Sequence, residues 1–256
     1  MEGKLEKNDF IELRYIGKIK DNNEIFDTNI EEEAKKLNLD IKTRILIICL
    51  GQNMILPSID EFLIGKEPGN YILELEPKKA FGIRSKELIK TMPVSIFSKH
   101  NVKPEAGMVF SFDNLLGKIT TVSGGRVIVD FNNPLAGKQV VYNLQVKRKI
   151  TNEEEKIKAL FLAFFSKEYK FKVENKKLII EAEKNFVKII ELFKEKFKEI
   201  LGLDLEASES LDSDSFRTKG SDSARKPEDF RHAQKSQISD IREIEEKSEE
   251  KAVEKK

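Results

Sequence analysis

Side chains able to do conventional catalysis are scarce in this chain. There is one cysteine, Cys49, and there are two histidines, His100 and His232. Cys49 sits inside Ile45-Leu46-Ile47-Ile48-Cys49-Leu50, an apolar run in which a thiol acts as a small hydrophobe rather than a nucleophile. Neither histidine has a partner at ligand spacing, so an imidazole or thiolate metal site has no material and no cofactor is expected. What remains is a set of aromatic, apolar and acidic positions: Tyr15, Phe26, Asp27, Ile55, Leu56, Ile59, Phe81 and Tyr142. Singly, each has a plain reading. Aromatics on strands usually pack, and Ile55, Leu56 and Ile59 suit the apolar entry to a helix. Asp27, before Thr28 and Asn29, suits a turn cap, and Phe81 before Gly82 suits a loop anchor.

The elements that must position these residues follow from periodicity. Phe10 to Gly17 alternates apolar and polar residues and reads as a strand, closed by the turn Asp21-Asn22-Asn23 before an extended Glu24 to Thr28. Ile45 to Leu50 reads as a strand buried on both faces. A short helix starts at Pro57, where a missing N–H costs nothing, and stops at Gly65. Tyr71 to Leu75 is a further strand. Glu87 to Thr91 suits a short helical turn. Met108–Phe112, Gly117–Val122 and Arg126–Asp130 read as three strands, the last two joined through Ser123-Gly124-Gly125. Gln139 to Lys149 returns to the texture of the first part, the pattern of an inserted domain. Glu153 to Phe165 reads as a helix, then a hairpin turns at Glu174-Asn175-Lys176. Glu183 to Leu201 reads as one long helix with the stripe Phe186, Ile189, Ile190, Phe193, Phe197, Ile200 and Leu201. From Ala207 onward Ser, Asp, Glu and Lys dominate, and such a segment is expected to be disordered.

Charge and hydropathy exclude several classes of partner. With 46 basic and 45 acidic residues the formal net charge is +1, with no clustered basic excess to hold a phosphate backbone, so no nucleic acid is expected. No apolar run approaches the roughly 18–20 residues of a membrane span, and the charged Met1 to Asp9 lacks the apolar core of a signal peptide. A cytoplasmic protein with no membrane partner is expected.

In order along the chain, Arg14-Tyr15-Ile16-Gly17, Phe26-Asp27-Thr28, Gly51-Gln52-Asn53-Met54-Ile55-Leu56-Pro57-Ser58-Ile59, Ala80-Phe81-Gly82 and Val141-Tyr142-Asn143-Leu144 resemble the segments of FKBP-type peptidyl-prolyl isomerases. The block holding Phe110-Ser111-Phe112 and Asn133-Pro134-Leu135-Ala136-Gly137 looks like the insert-in-flap domain of SlyD-type and archaeal long FKBPs. The resemblance covers about residues 4–150, and the C-terminal part resembles the extension of the long archaeal members only in position and general pattern. It implies an α+β fold, an FKBP-like antiparallel sheet around a short helix, with an inserted β-rich flap domain and a C-terminal α/β module. The corresponding divisions are 4–84 plus 131–150 for the isomerase domain, 85–130 for a chaperone insert, 152–206 for a C-terminal module suited to dimerisation, and 207–256 for a charged tail.

By the same resemblance, Ile59 is the floor of a proline pocket, and Tyr15, Phe26 and Tyr142 are its aromatic walls. Ile55 is an apolar wall, the Leu56 N–H holds a substrate carbonyl, and Asp27 orients the Tyr15 hydroxyl. Phe81 stands where the family usually carries Tyr, so one hydroxyl is missing. The partners implied are unfolded or proline-containing polypeptides, with Met108, Val109, Phe110 and Phe112 as candidate contacts in the insert; separately, the Phe-rich stripe of Glu183–Leu201 suits contact with a second copy of the chain. Two alternatives stay open: a stoichiometric holdase or assembly scaffold with little turnover, and a dimerisation adaptor.

Overall fold

The computed structural model describes residues 3–36, 45–98, 102–112 and 115–209. In chain order these form strand β1 (Phe10–Ile19), β2 (Ile25–Thr28), helix α1 (Glu31–Lys36), β3 (Leu46–Cys49), α2 (Pro57–Leu63), β4 (Gly69–Leu75), β5 (Ile89–Pro93), α3 (Val94–Ser98), β6 (Val109–Phe112), β7 (Leu115–Ser123), β8 (Arg126–Asp130), β9 (Val140–Lys149), α4 (Glu153–Phe165), β10 (Lys170–Glu174), β11 (Lys177–Ala182), α5 (Lys184–Glu191), α6 (Lys194–Leu201) and β12 (Asp204–Glu209). The fold is mixed α+β. One sheet has the order β2-β1-β9-β4 with β3 also on β1, a second the order β5-β8-β7-β6, and a third the order β10-β11-β12. The β11–β12 pairing is parallel and the other registered pairs are antiparallel.

The chain divides into two compact units. Among the described residues, one takes 3–16, Thr28–Tyr71 and 143–209. Its core runs from Phe10, Cys49 and Ile150 into Ile157, Leu160, Phe161, Leu178, Ile180, Ile190, Phe197 and Leu205, so the C-terminal helices and strands share one apolar interior with β1 and β3. Asn152 caps α4 by accepting from the Glu155 N–H at 3.0 Å. Ser166 ends that helix in the left-handed region. The other unit takes Gly17–Asp27 and Ile72–Tyr142. Within it the four-stranded sheet closes over α3 around Leu88, Met92, Phe97, Phe112, Leu115, Ile119, Val127, Val129 and Phe131.

Several elements depart from the sequence-based expectation. The long helix at Glu183–Leu201 is two helices, α5 and α6, broken at Leu192 and Phe193. The break turns Phe193 inward, where its ring stacks on Phe164 at 5.2 Å, and leaves Leu192 82% exposed. A straight helix carrying that stripe has Phe186, Ile189 and Ile190 on one broad face, but only Ile190 is buried. The residues around Glu87–Thr91 form a 3-10 turn at Lys86–Leu88 that leads straight into strand β5, where Ile89 to Pro93 pair with β8. Helices α1 and α3 were not anticipated, so α2 is not the lone helix of the first half. Order continues past Ala207, because Leu205 faces inward on β12 and the strand pairs with β11 as far as Glu209. The remainder of the expected disordered tail, 210–256, lies outside the described residues, as do His100 and His232.

Candidate active site

Four of the expected site residues fall in the second unit. The Phe26 ring stands edge-on to Phe81, with centroids 5.6 Å apart and planes at 88°, and edge-on to Tyr142 at 5.8 Å and 89°. Such T-shaped pairs place the positive rim of one ring against the negative face of another. Gly17 makes this approach possible. A Cβ there would lie 2.8 Å from one Phe26 ring carbon and 3.0 Å from a Tyr142 ring carbon, so any side chain would push the rings away. Tyr142 is buried. Burial first, and the nearby negative charge of Asp27 second, push its phenol above the ordinary range, so it stays a neutral hydroxyl. Phe26, Asp27 and Phe81 are half-buried.

The other four residues lie in the first unit. Tyr15 is half-buried and its backbone is tied on both sides. Its N–H donates to Asn29 Oδ1 at 2.8 Å, and its carbonyl accepts from the Thr28 hydroxyl at 2.8 Å. Thr28 Oγ1 also accepts the Ile30 N–H at 3.1 Å. Thr28 and Asn29, which follow Asp27, thus tie the turn to β1. Ile55 and Leu56 sit on the approach to α2, where the Leu56 carbonyl accepts the N–H groups of Ile59 and Asp60. Pro57 occupies the first helical turn and Gly65, at φ 86°, ends the helix as expected. Ile59 has no exposed surface and Ile55 is nearly buried, while Leu56 is half-buried.

Two residues of interest were not singled out. Gly17 had a visible signal, a glycine inside an alternating strand. Asp60 had none, because an acid in a helix's first turn ordinarily faces solvent. Here it is 3% exposed beneath the turn that carries Ile55 and Leu56.

In the second unit the block from β5 to β8 is pinned at its base. Asn132 accepts the Ser85 N–H at 2.8 Å and donates to the Ser85 carbonyl at 2.9 Å, Asp130 accepts from Asn132, and Arg84 pairs with Asp130. Of the expected insert contacts, Phe112 is buried in the local core and Phe110 packs against it. Val109 and Met108 are exposed at 62% and 42%, joined by Leu116 at 40%. Val109 lies on β6, an edge strand of its sheet.

Comparison with known proteins places these features. The FKBP26, IF domain family matches residues 90–135. The short-type peptidyl-prolyl cis-trans isomerase of Methanocaldococcus jannaschii is 28% identical over 147 residues, 56% of this chain and 92% of that protein. The FKBP-type peptidyl-prolyl cis-trans isomerase SlyD of Haemophilus influenzae is 30% identical over 111 residues, and the match spans 41% of this chain and 58% of that protein. The FKBP-type 16 kDa peptidyl-prolyl cis-trans isomerase of Escherichia coli is 31% identical over 103 residues, 38% of this chain and 68% of that protein. The chain belongs to the FKBP-type peptidyl-prolyl cis-trans isomerase family. The IF-domain match falls across β5 to β8.

Proposed function

We propose that this protein catalyses cis–trans isomerisation of X–Pro bonds, using Tyr15, Phe26, Asp27, Ile55, Leu56, Ile59, Phe81 and Tyr142. Rotation about the prolyl amide must cross a barrier of ~18–20 kcal/mol set by resonance, and unassisted exchange takes tens to hundreds of seconds. The planar amide carries more charge on oxygen than the twisted one. An apolar surrounding therefore favours the twisted form and needs no acid, base or nucleophile. The observation that carries this reading is the edge-to-face set of Phe26, Phe81 and Tyr142 beside Asp27, in a chain of this family. The reading is tested by exchange spectroscopy on a proline tetrapeptide. Asp27→Ala or Tyr142→Ala should slow catalysis by about tenfold or more with the fold intact; a variant with full activity removes that residue from the site.

The block 85–130 is proposed to bind non-native chains. Support comes from the exposed Met108, Val109 and Leu116 and from the free side of β6 within its sheet, where an extended peptide can add as a strand. A captured chain would then present its prolines at high local concentration to the isomerase domain, 4–84 plus 131–150. The module 152–206 is proposed to pair with a second copy through the exposed Phe186, Ile189 and Leu192 of α5 and its end.

A further inference from the structure

A buried charge that the isomerase reading does not use lies under the turn leading to α2. Asp60 Oδ2 accepts the Asn53 N–H at 3.1 Å, and the Gly51 N–H also bonds this carboxylate. Its Oδ1 has no hydrogen-bond partner among the described residues. The turn it holds passes twice through the left-handed region, with Gly51 at φ 76° and Asn53 at φ 55°. Gly and Asn adopt this region readily, so the carboxylate selects among conformations open to the turn rather than forcing one. Two further contacts bind the turn from behind. Gln52 Nε2 donates to Asn8 Oδ1 at 2.6 Å, and Met54 Sδ receives the Cys49 N–H at 3.1 Å while its side chain packs on the core shared with α4 and α6. The segment so fixed ends in Ile55 and Leu56.

We infer that Asp60 is a positioning residue of the isomerase site: its buried carboxylate holds the Gly51–Asn53 turn and thereby sets where Ile55 and the Leu56 backbone are presented to substrate. This rests on the isomerase reading, since Ile55 and Leu56 matter to it only as site residues.

The charge state of Asp60 bears on the inference. Burial pushes its carboxyl up to about 6, against the opposing pull of the Asn53 and Gly51 N–H groups. Facing it are Cys49 on β3, whose thiol is pushed up to about 12, and Glu61 on its own helix. Beyond Cys49 stand Asp9, Lys156 of α4 and Lys196 of α6. Protonation weakens the carboxylate as an acceptor, so the turn should loosen as pH falls through that value.

The test uses the full chain. Asp60→Ala should lower kcat/KM for a proline tetrapeptide by roughly tenfold, the worth of a hydrogen bond to a charged group. Asp60→Asn keeps a neutral acceptor like that of the protonated acid, so at every pH it should hold kcat/KM at the reduced level the unsubstituted protein reaches in acid, above that of Asp60→Ala. In the unsubstituted protein, kcat/KM should decline as pH is lowered through about 6, and the Asn53 amide resonance should shift with the same midpoint; both effects should be absent from Asp60→Asn. Wild-type kcat/KM in Asp60→Ala, or an Asn53 resonance that ignores pH, overturns the inference. Should Asp60→Ala not fold, coincident pH profiles of the unsubstituted protein and Asp60→Asn overturn it equally. A chain with no isomerase turnover at all refutes the isomerase reading instead, and the Asn53 titration still reports whether the tether exists.

Discussion

The Phe26 and Tyr142 rings meet edge to face across the backbone of Gly17, their centroids 5.8 Å apart. The missing side chain of one glycine therefore decides whether these two rings can meet. Gly17→Ala should force those rings apart and lower kcat/KM by about tenfold, since small misplacements of positioned groups are costly. Far-ultraviolet circular dichroism should stay unchanged, because alanine is otherwise tolerated on a strand. Unaltered activity would show that the pairing is incidental to catalysis.

Polar replacement of the exposed apolar residues on the insert should separate two activities. Val109→Ser combined with Leu116→Ser removes side chains that are 62% and 40% exposed, so the core around Phe97 and Phe112 should hold. Tetrapeptide isomerisation should be unaffected, whereas proline-limited refolding of an unfolded protein should slow several-fold. Equal rates on the refolding substrate would dismiss this face as the capture surface.

Leu192, 82% exposed at the break between α5 and α6, is the residue whose replacement best probes self-association. Sedimentation of the full chain should give a dimer, and Leu192→Glu with Ile189→Glu should give a monomer of unchanged secondary structure. A monomeric unsubstituted chain rules out the pairing.

Asp60 also makes stability depend on pH. Its carboxyl is raised from 3.8 to about 6 in the folded protein, so the folded state holds a proton that the unfolded state releases. The associated stability is complete below the unfolded value and is lost as pH rises through about 6. Asp60→Asn should accordingly melt higher than the unsubstituted protein at neutral pH, by an amount on the order of 2–3 kcal/mol. The two should converge in acid. A variant that melts lower at neutral pH would mean that the charged bonds to Gly51 and Asn53 outweigh burial.

Much of the scaffold was legible because its signals are local. Pro57 and Gly65 bracket α2 as their backbone preferences require. The hairpin between β7 and β8 turns on Gly124 and Gly125, both at positive φ, with Ser123 paired to Arg126. The run from Ile45 to Leu50 gave a strand, although Ile45 is exposed and β3 begins one residue later. What escaped depends on tertiary context. No glycine or proline marks the break at Leu192, which exists so that Phe193 can reach Phe164. Strand β12 has only Leu205 and Ala207 to suggest alternation, and it forms because β11 offers a parallel edge. For the site, the aromatic set was visible as residue types in order. The burial of Asp60 was not, since nothing in its neighbours' identities requires an acid to turn inward.

Phe10, Cys49 and Ile150 are seated in the same apolar interior as Leu160, Phe161 and Leu178. The C-terminal extension is therefore a fixture rather than a cassette. Grafting it onto another scaffold would require transplanting those three seats with it, and a lineage that discarded it would first have to re-clothe them in polar side chains or inherit a sticky scar.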